Sequence, residues 1–164
     1  MQTFKDNKDQ VWTIQIDVGS IRRVKANTGV NLLAIDQPTD THPDAPLFTS
    51  LSVDELLLCE VIFSLLYAEK EQRGISDDDL AARFEGDVLL RAVEAFWRSL
   101  IDFFQKRGRT DTARMLTANL ELIQKAINHR FKELETLTEE ISKKLSLNGL
   151  ESLESIRPLS HSAN

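Results

Sequence analysis

The sequence is poor in the residues that break or cross-link a chain. Its 164 residues include 6 glycines, 4 prolines and 1 cysteine. A single cysteine excludes an intramolecular disulfide and a zinc site built from cysteines. Glycine and proline are the strongest helix breakers, so their scarcity favours helices. We therefore expect a mostly helical protein.

Long apolar runs are also missing. No run reaches the roughly 18–20 apolar residues that a membrane-spanning helix needs, and the first residues lack the apolar core of a secretory signal. With 41% hydrophobic and 28% charged residues, the composition is typical of a globular protein. These features, together with the scarcity of cysteine, predict a cytoplasmic protein that does not contact a membrane.

Negative charge is concentrated in the middle of the chain. The net charge is -6, from 26 acidic and 20 basic residues, and residues 51–108 contain 12 acidic against 7 basic side chains. This balance argues against a nucleic-acid-binding protein, because phosphate contacts require a basic surface. An acidic middle suits a basic partner, and a polar face that keeps the protein soluble would explain it equally well.

The N-terminal region predicts a β-hairpin. Residues 2–5 and 11–16 have the pattern of two short strands around a turn rich in aspartate and asparagine. The second strand alternates, so that Trp12, Ile14 and Ile16 share one face. A lone hairpin is marginally stable in water, and we expect this one to pack on a helix or to join another sheet.

A short helix should follow the hairpin. Asp17 is placed to cap its N-terminus, and the helix is expected over about residues 18–27. Ile21 and Val24 provide its apolar side. Gly29 lies where a glycine commonly ends a helix.

The rest of the chain has a helical pattern after a proline-rich linker. Ser52 and Glu55 have the spacing of a capping box. The helix that they are expected to open, to about Gln72, is apolar over most of its circumference and should be the most buried. Further helices are expected over about residues 77–84 and 87–106. The predicted organisation is a hairpin plus short helix over 1–35, a linker over 36–50, a helical core over 51–108, a long amphipathic helix over 109–147 and a flexible tail over 148–164.

The fold class is therefore predicted as mostly α, with an N-terminal β-hairpin followed by a helical bundle of about four to five helices. The last helix is long and amphipathic. Its apolar residues recur at steps of three or four, close to a coiled-coil repeat: Leu116, Leu120, Ile123, Ile127, Phe131, Leu134, Leu137, Ile141 and Leu145. About 35 residues span roughly 50 Å. We expect the far end to meet a partner or a second copy.

Residues that commonly carry catalysis or bind metals occur without the required spacing. His42, His129 and His161 form no His-x-x-x-His pair. The run 77–79 is three aspartates, which lacks the alternation of a calcium loop and suits the first turn of a helix. Cys59 lies in an apolar helix and is expected to be a buried, unreactive thiol. We predict no catalytic residues, no metal site and no cofactor.

Aromatic residues on the predicted helix 87–106 have two interpretations. Phe96, Trp97, Phe103 and Phe104 recur at helical spacing. Core packing is the common role of such a cluster, and a groove that holds a partner helix is the alternative. The sequence leaves both open.

Three stretches of the sequence resemble a known group of proteins. They are WTIQIDVGSIRRV at 12–24, TGVNLL at 28–33 and RGISDDDL at 73–80. Together they resemble the small acidic proteins of tailed-phage and prophage tail modules, of the tail assembly chaperone type. The likeness covers roughly residues 4–105 and does not include the long final helix. Its motifs are structural rather than catalytic.

The resemblance implies a non-enzymatic protein that binds tape-measure and tail-tube proteins during tail assembly, in the cytoplasm of the bacterial host. We expect the partner at one of two surfaces. One is the aromatic cluster with Trp97, Phe103 and Phe104, and the other is the apolar face of the last helix with Leu134, Leu137, Ile141 and Leu145. The alternatives are a structural virion component, a small helical protein that forms homo-oligomers through its C-terminal helix, and an enzyme of unknown type.

Overall fold

The computed structural model of the chain describes residues 1–39 and 43–154. Within the last helix, the side chains at 126, 127, 130, 131, 134, 135 and 147–154 lie outside that description. The protein is mostly helical, at 71%, and has an antiparallel two-stranded hairpin at its N-terminus. The predicted fold class is confirmed in outline. The described residues form more helices than predicted, namely six α-helices and one 3-10 turn.

The elements follow one another along the chain with short connections. They are β1 Gln2–Lys5, β2 Val11–Ile14, α1 Val18–Thr28, a 3-10 turn Leu32–Ala34, α2 Leu47–Val53, α3 Glu55–Arg73, α4 Asp77–Ala82, α5 Asp87–Lys106 and α6 Thr110–Glu154. The described residues form two compact units, one up to Leu120 and the other from Glu121 onward. The hairpin, the apolar core and the first turns of α6 belong to the first unit.

Capping residues set several helix ends where the sequence predicts them. The side chain of Asp17 accepts a hydrogen bond from the backbone N–H of Ser20 and forms a capping box with it at the start of α1. The helix ends at Gly29, whose φ of 76° suits glycine. Gly74 ends α3 in the same left-handed conformation, and Ser76 caps α4. The predictions for Asp17 and Gly29 are confirmed.

The predicted linker 36–50 is wrong at its C-terminal end, because α2 begins inside it. Pro46 lies just before this helix, where its missing N–H costs nothing. Ser52, expected to cap the next helix, lies within α2 and donates a hydrogen bond to the carbonyl of Phe48. The N-cap of α3 is Asp54. Residues 40–42 lie outside the described part of the chain.

The most buried helix is α5, not α3 as predicted. In α5, 10 of 20 residues are buried, against 7 of 19 in α3. The hairpin packs with both helices, but α3 leaves Leu56 71% exposed and Tyr67 45% exposed. A helix that is apolar over most of its circumference is buried all round only if neighbours cover every side, and α3 has uncovered sides.

The last helix is longer than predicted. Residues 148–154, expected to belong to a flexible tail, continue α6 as far as Glu154. A single glycine, here Gly149, costs a helix only about 1 kcal/mol, and the leucine and glutamate residues that follow it favour helix. Residues 155–164 lie outside the described part of the chain.

The outer edge of β2 is closed by side chains of α3. The Thr13 N–H donates to Oε2 of Glu69 at 2.9 Å, and Arg73 Nη2 donates to the Val11 carbonyl at 2.6 Å. The Arg73 guanidinium also lies 4.4 Å from the centre of the Trp12 ring, within cation–π range. Helix α3 therefore takes the place of a third strand along this edge.

A buried carboxylate joins the hairpin turn to the end of α4. The Asp6 side chain is 0% exposed. Its Oδ1 accepts from the backbone N–H groups of Lys8 and Gln10 at 2.8 and 2.9 Å, and its Oδ2 accepts from Trp12 Nε1 at 2.9 Å and Arg83 Nη1 at 3.1 Å. Burial alone would raise the pKa of Asp6, but these hydrogen bonds lower it from 3.8 to about 2.

We predict that Asp6→Asn destabilises the protein at neutral pH by roughly 3 kcal/mol, because Arg83 and Trp12 lose their acceptor inside the protein. The folded-state pKa of Asp6 lies below its unfolded value. The contribution of the carboxylate is therefore complete above about pH 4 and is lost as the pH falls toward 2. Urea unfolding at pH 7 and at about pH 2.5 measures both effects.

Asp9→Asn is the matched control for this experiment. Asp9 lies in the same turn with its side chain 92% exposed, and its φ of 58° is one that asparagine tolerates. The control should unfold like the unmodified chain. If Asp6→Asn is equally mild at pH 7, or if its deficit persists unchanged at low pH, the carboxylate does not hold the turn.

Candidate functional site

The three aromatic candidates for partner contact lie in the core. Trp97 and Phe104 are 0% exposed and Phe103 is 8% exposed. Edge-to-face contacts join Phe103 to Phe104 with ring centres 5.3 Å apart, and Phe96 to Trp97 at 5.0 Å. Of the two interpretations of this cluster, the burial supports core packing. A partner could reach these rings only if the core opened.

Polar contacts at the start of α6 cover one end of the aromatic cluster. The Arg109 guanidinium lies 4.5 Å from the centre of the Phe104 ring and donates to Oδ2 of Asp36 at 2.7 Å. The Thr112 hydroxyl donates to the same oxygen at 2.9 Å. Burial raises the pKa of Asp36, but the bonds from Thr112 and Arg109 outweigh it and hold the pKa below its ordinary value. This ion pair joins residues far apart in the sequence, and no local pattern predicts it.

The other predicted surface is exposed. Leu137 is 53% exposed, Ile141 57% and Leu145 67%. Residues four apart in a helix are displaced by about 40° around its axis, so these three side chains form a continuous line on one face. We call these three residues the apolar stripe. The side chain of Leu134, the fourth predicted member, lies outside the described residues.

Among the side chains that the structure describes, charges border the apolar stripe on one side. At about 100° per residue, Lys144 lies directly beside Leu137, and Glu133 and Glu140 lie further out on the same side. Thr138 and Ser142 lie along the other border. All five residues are exposed. Over the described side chains, the stripe therefore has charges on one side and two hydroxyl groups on the other.

Exposed apolar residues also occur where the sequence did not indicate them. Val53 is 78% exposed, and Leu56, three residues further on, is 71% exposed. Leu56 is one of the residues that make α3 apolar over most of its circumference. The helical pattern around it is apolar on every side, so nothing in the sequence shows which side stays open.

The cysteine, the three aspartates and the described histidine that could have carried chemistry lie in surroundings that fit structural roles. Cys59 is half-buried, less than predicted, and burial raises the pKa of its thiol, as expected for an unreactive cysteine. The acidic run occupies the first turn of α4. Within it Asp77 lies 2.6 Å from the buried Lys70 Nζ, and this hydrogen bond raises the pKa of Lys70. His129 is exposed beside Glu133, and His42 and His161 lie outside the described residues.

The described residues leave two cavities of about 560 Å³ each. One lies between the end of α1, the 3-10 turn and α2, and it contains Ser50, whose buried hydroxyl has no hydrogen-bond partner. The other lies between β2, the start of α1 and α3. Over the same part of the chain, no group of three or more histidine, cysteine, aspartate or glutamate side chains is arranged to hold a metal ion. No helix in the ranges 1–39 and 43–154 is both long and apolar enough to span a membrane.

Comparison of the sequence with protein-family models and with curated proteins, and of the fold with solved structures, found no match. The resemblance to tail assembly chaperones therefore stays a prediction from the residues in 12–33 and 73–80. In the structure several residues of these stretches have capping roles, among them Asp17, Gly29 and Ser76.

The burial pattern predicts that alanine substitutions at the two candidate surfaces differ sharply in their effect on the free energy of unfolding. Trp97→Ala and Phe104→Ala should each destabilise the protein by about 3–5 kcal/mol, because each leaves a cavity in the core. Leu137→Ala and Ile141→Ala should change the free energy of unfolding by no more than about 0.5 kcal/mol. Guanidinium unfolding followed by circular dichroism measures all four variants. Similar losses in both pairs would show that the apolar stripe is part of a core.

Proposed function

We propose that this protein is a non-enzymatic tail-assembly-chaperone-like protein that acts in the cytoplasm of a bacterial host. It binds a helical segment of a tape-measure protein, and through it helps to recruit tail-tube subunits, during phage or prophage tail assembly. Two features support the proposal: the resemblance at 12–33 and 73–80, and the exposed apolar stripe on α6.

The exposed apolar stripe is the observation that carries the proposal. A helix with an apolar line of residues at four-residue spacing is one of the recurring ways in which proteins bind other helices. Fully burying one leucine or isoleucine stabilises by about 1.5–3 kcal/mol. The three residues are already partly covered by their own helix, so their contribution is on the order of 3–5 kcal/mol. Such a contact is weak and reversible, as an assembly chaperone requires because it must release its client.

The charge of the chain fits the same role. Its net charge is -6, and a net charge well away from zero keeps a protein soluble while it holds an apolar client. Negative charge also accelerates encounters with basic surfaces. Neither property requires a catalytic group.

Two other functions use the same exposed face. A structural virion component would keep the stripe buried permanently in the particle, and a self-associating protein would cover it with a second copy. Purified particles would contain the structural component, whereas an assembly chaperone should be absent from them.

We predict that Leu137→Gln together with Ile141→Gln abolishes capture of the helical client. The two polar side chains remove most of the apolar contact but leave residues 1–120 unchanged. The experiment is co-expression with each of the proteins encoded beside this chain, followed by pull-down and light scattering. The unmodified protein should give a soluble complex with a client that aggregates when expressed alone.

The control variant is Lys132→Gln together with Glu139→Gln. These exposed residues lie on the opposite side of α6, the substitutions are again to glutamine, and the net charge is unchanged. This variant should capture the client normally, and both variants should unfold like the parent. Full capture by the stripe variant would refute the proposed contact, and a closed homo-oligomer that ignores every neighbour would favour the self-associating protein.

A further inference from the structure

The charges beside the apolar stripe constrain what can bind it. If Leu137 and Ile141 are assigned to the d and a positions of a heptad, then Glu133 and Glu140 both occupy g. Lys144 occupies the next d position, and Leu145 lies beside it at e. All of these side chains are exposed. In a coiled coil, a and d residues meet the partner directly and g residues flank the contact.

A second copy in parallel orientation is disfavoured by Lys144. In a parallel pair each d residue faces the same residue of the other helix. Lys144 would therefore face the Lys144 of the second copy in the middle of the contact. Like charges that face each other at close range destabilise the pair, and they do so more as water is excluded.

A second copy in antiparallel orientation is disfavoured by Glu140. If Leu137 packs on the Ile141 of the second copy, the g positions of the two helices face each other, and Glu140 meets the other Glu140. Both orientations thus oppose like charges. A partner with different charges avoids both conflicts.

We propose that the apolar stripe binds an amphipathic helix of another protein, one that presents lysine or arginine to Glu133 and Glu140. This inference rests on the proposed function, since it names the chemistry of the client that the stripe holds. The partner helix has apolar residues at heptad spacing and basic residues along the border of its apolar face. Opposite Lys144 it has an acidic or an apolar residue.

The test uses the full chain and three synthetic helical peptides of four heptads each. All three have the same apolar a and d residues, and the positions that border the apolar face are lysine in one peptide, glutamine in the second and glutamate in the third. Fluorescence anisotropy gives the Kd of each at about 50 mM and about 1 M salt, where screening differs most. We expect the lysine peptide to bind about fivefold to tenfold tighter than the glutamate peptide at low salt, with little difference at high salt.

A charge-reversal variant tests whether the selection is local. Glu133→Lys with Glu140→Lys should invert the order of the lysine and glutamate peptides. Glu121→Lys with Glu139→Lys makes the same change in net charge on the opposite side of α6, where both glutamates are exposed. This control should still bind the lysine peptide more tightly than the glutamate peptide.

The outcomes separate the inference from the proposed function. Equal binding of all three peptides, or a preference that charge reversal does not invert, overturns the charge selection and leaves the stripe as a docking surface. Failure of every peptide to bind, together with normal client capture by the Leu137→Gln and Ile141→Gln variant, overturns both. If the unmodified chain dimerises at micromolar concentration and the Leu137→Gln and Ile141→Gln variant does not, the occupant of the stripe is a second copy and not a foreign helix.

Discussion

The buried carboxylate of Asp6 is the interaction on which the N-terminal half of this fold depends. A two-stranded hairpin is marginal on its own, and here β1 and β2 contain only four residues each. Asp6 closes the turn through two backbone N–H groups, and it also binds the Trp12 indole and Arg83 at the end of α4. One side chain thereby fixes the turn, the central aromatic of β2 and the helix that follows α3.

The residues that cap the helices were predictable from the sequence, and the ion pairs between distant residues were not. Asp17, Gly29 and Ser76 act on backbone groups within a few residues, so their roles can be deduced from spacing alone. The pairing of Asp6 with Arg83 joins residues that are 77 positions apart, and that of Asp36 with Arg109 joins residues 73 apart. Such pairs depend on how the helices stack. For the same reason the sequence could not show that α5, rather than α3, has the most buried residues.

The two candidate surfaces differ in how far the sequence could define them. The apolar stripe follows from periodicity, because a helix brings residues four apart to the same face whatever its surroundings. The aromatic cluster is ambiguous, because large aromatic residues are favoured both in cores and in interfaces. Only burial distinguishes the two roles, and burial is a property of the folded chain. Trp97 and Phe104 are covered completely, whereas Leu137 and Ile141 are not.

Specificity at the apolar stripe has to come from its border rather than from its apolar residues. Leucine and isoleucine side chains pack against almost any apolar helix, so three of them cannot select a partner. Under the proposal the charges act differently, because Glu140 and Lys144 oppose like charges in a second copy, and Glu133 and Glu140 favour unlike charges in a foreign helix. Each charge contributes little, about 0.5 kcal/mol at an exposed position. Together the three charges amount to about 1.5 kcal/mol, roughly a third to a half of a contact worth about 3–5 kcal/mol, so they can decide between partners.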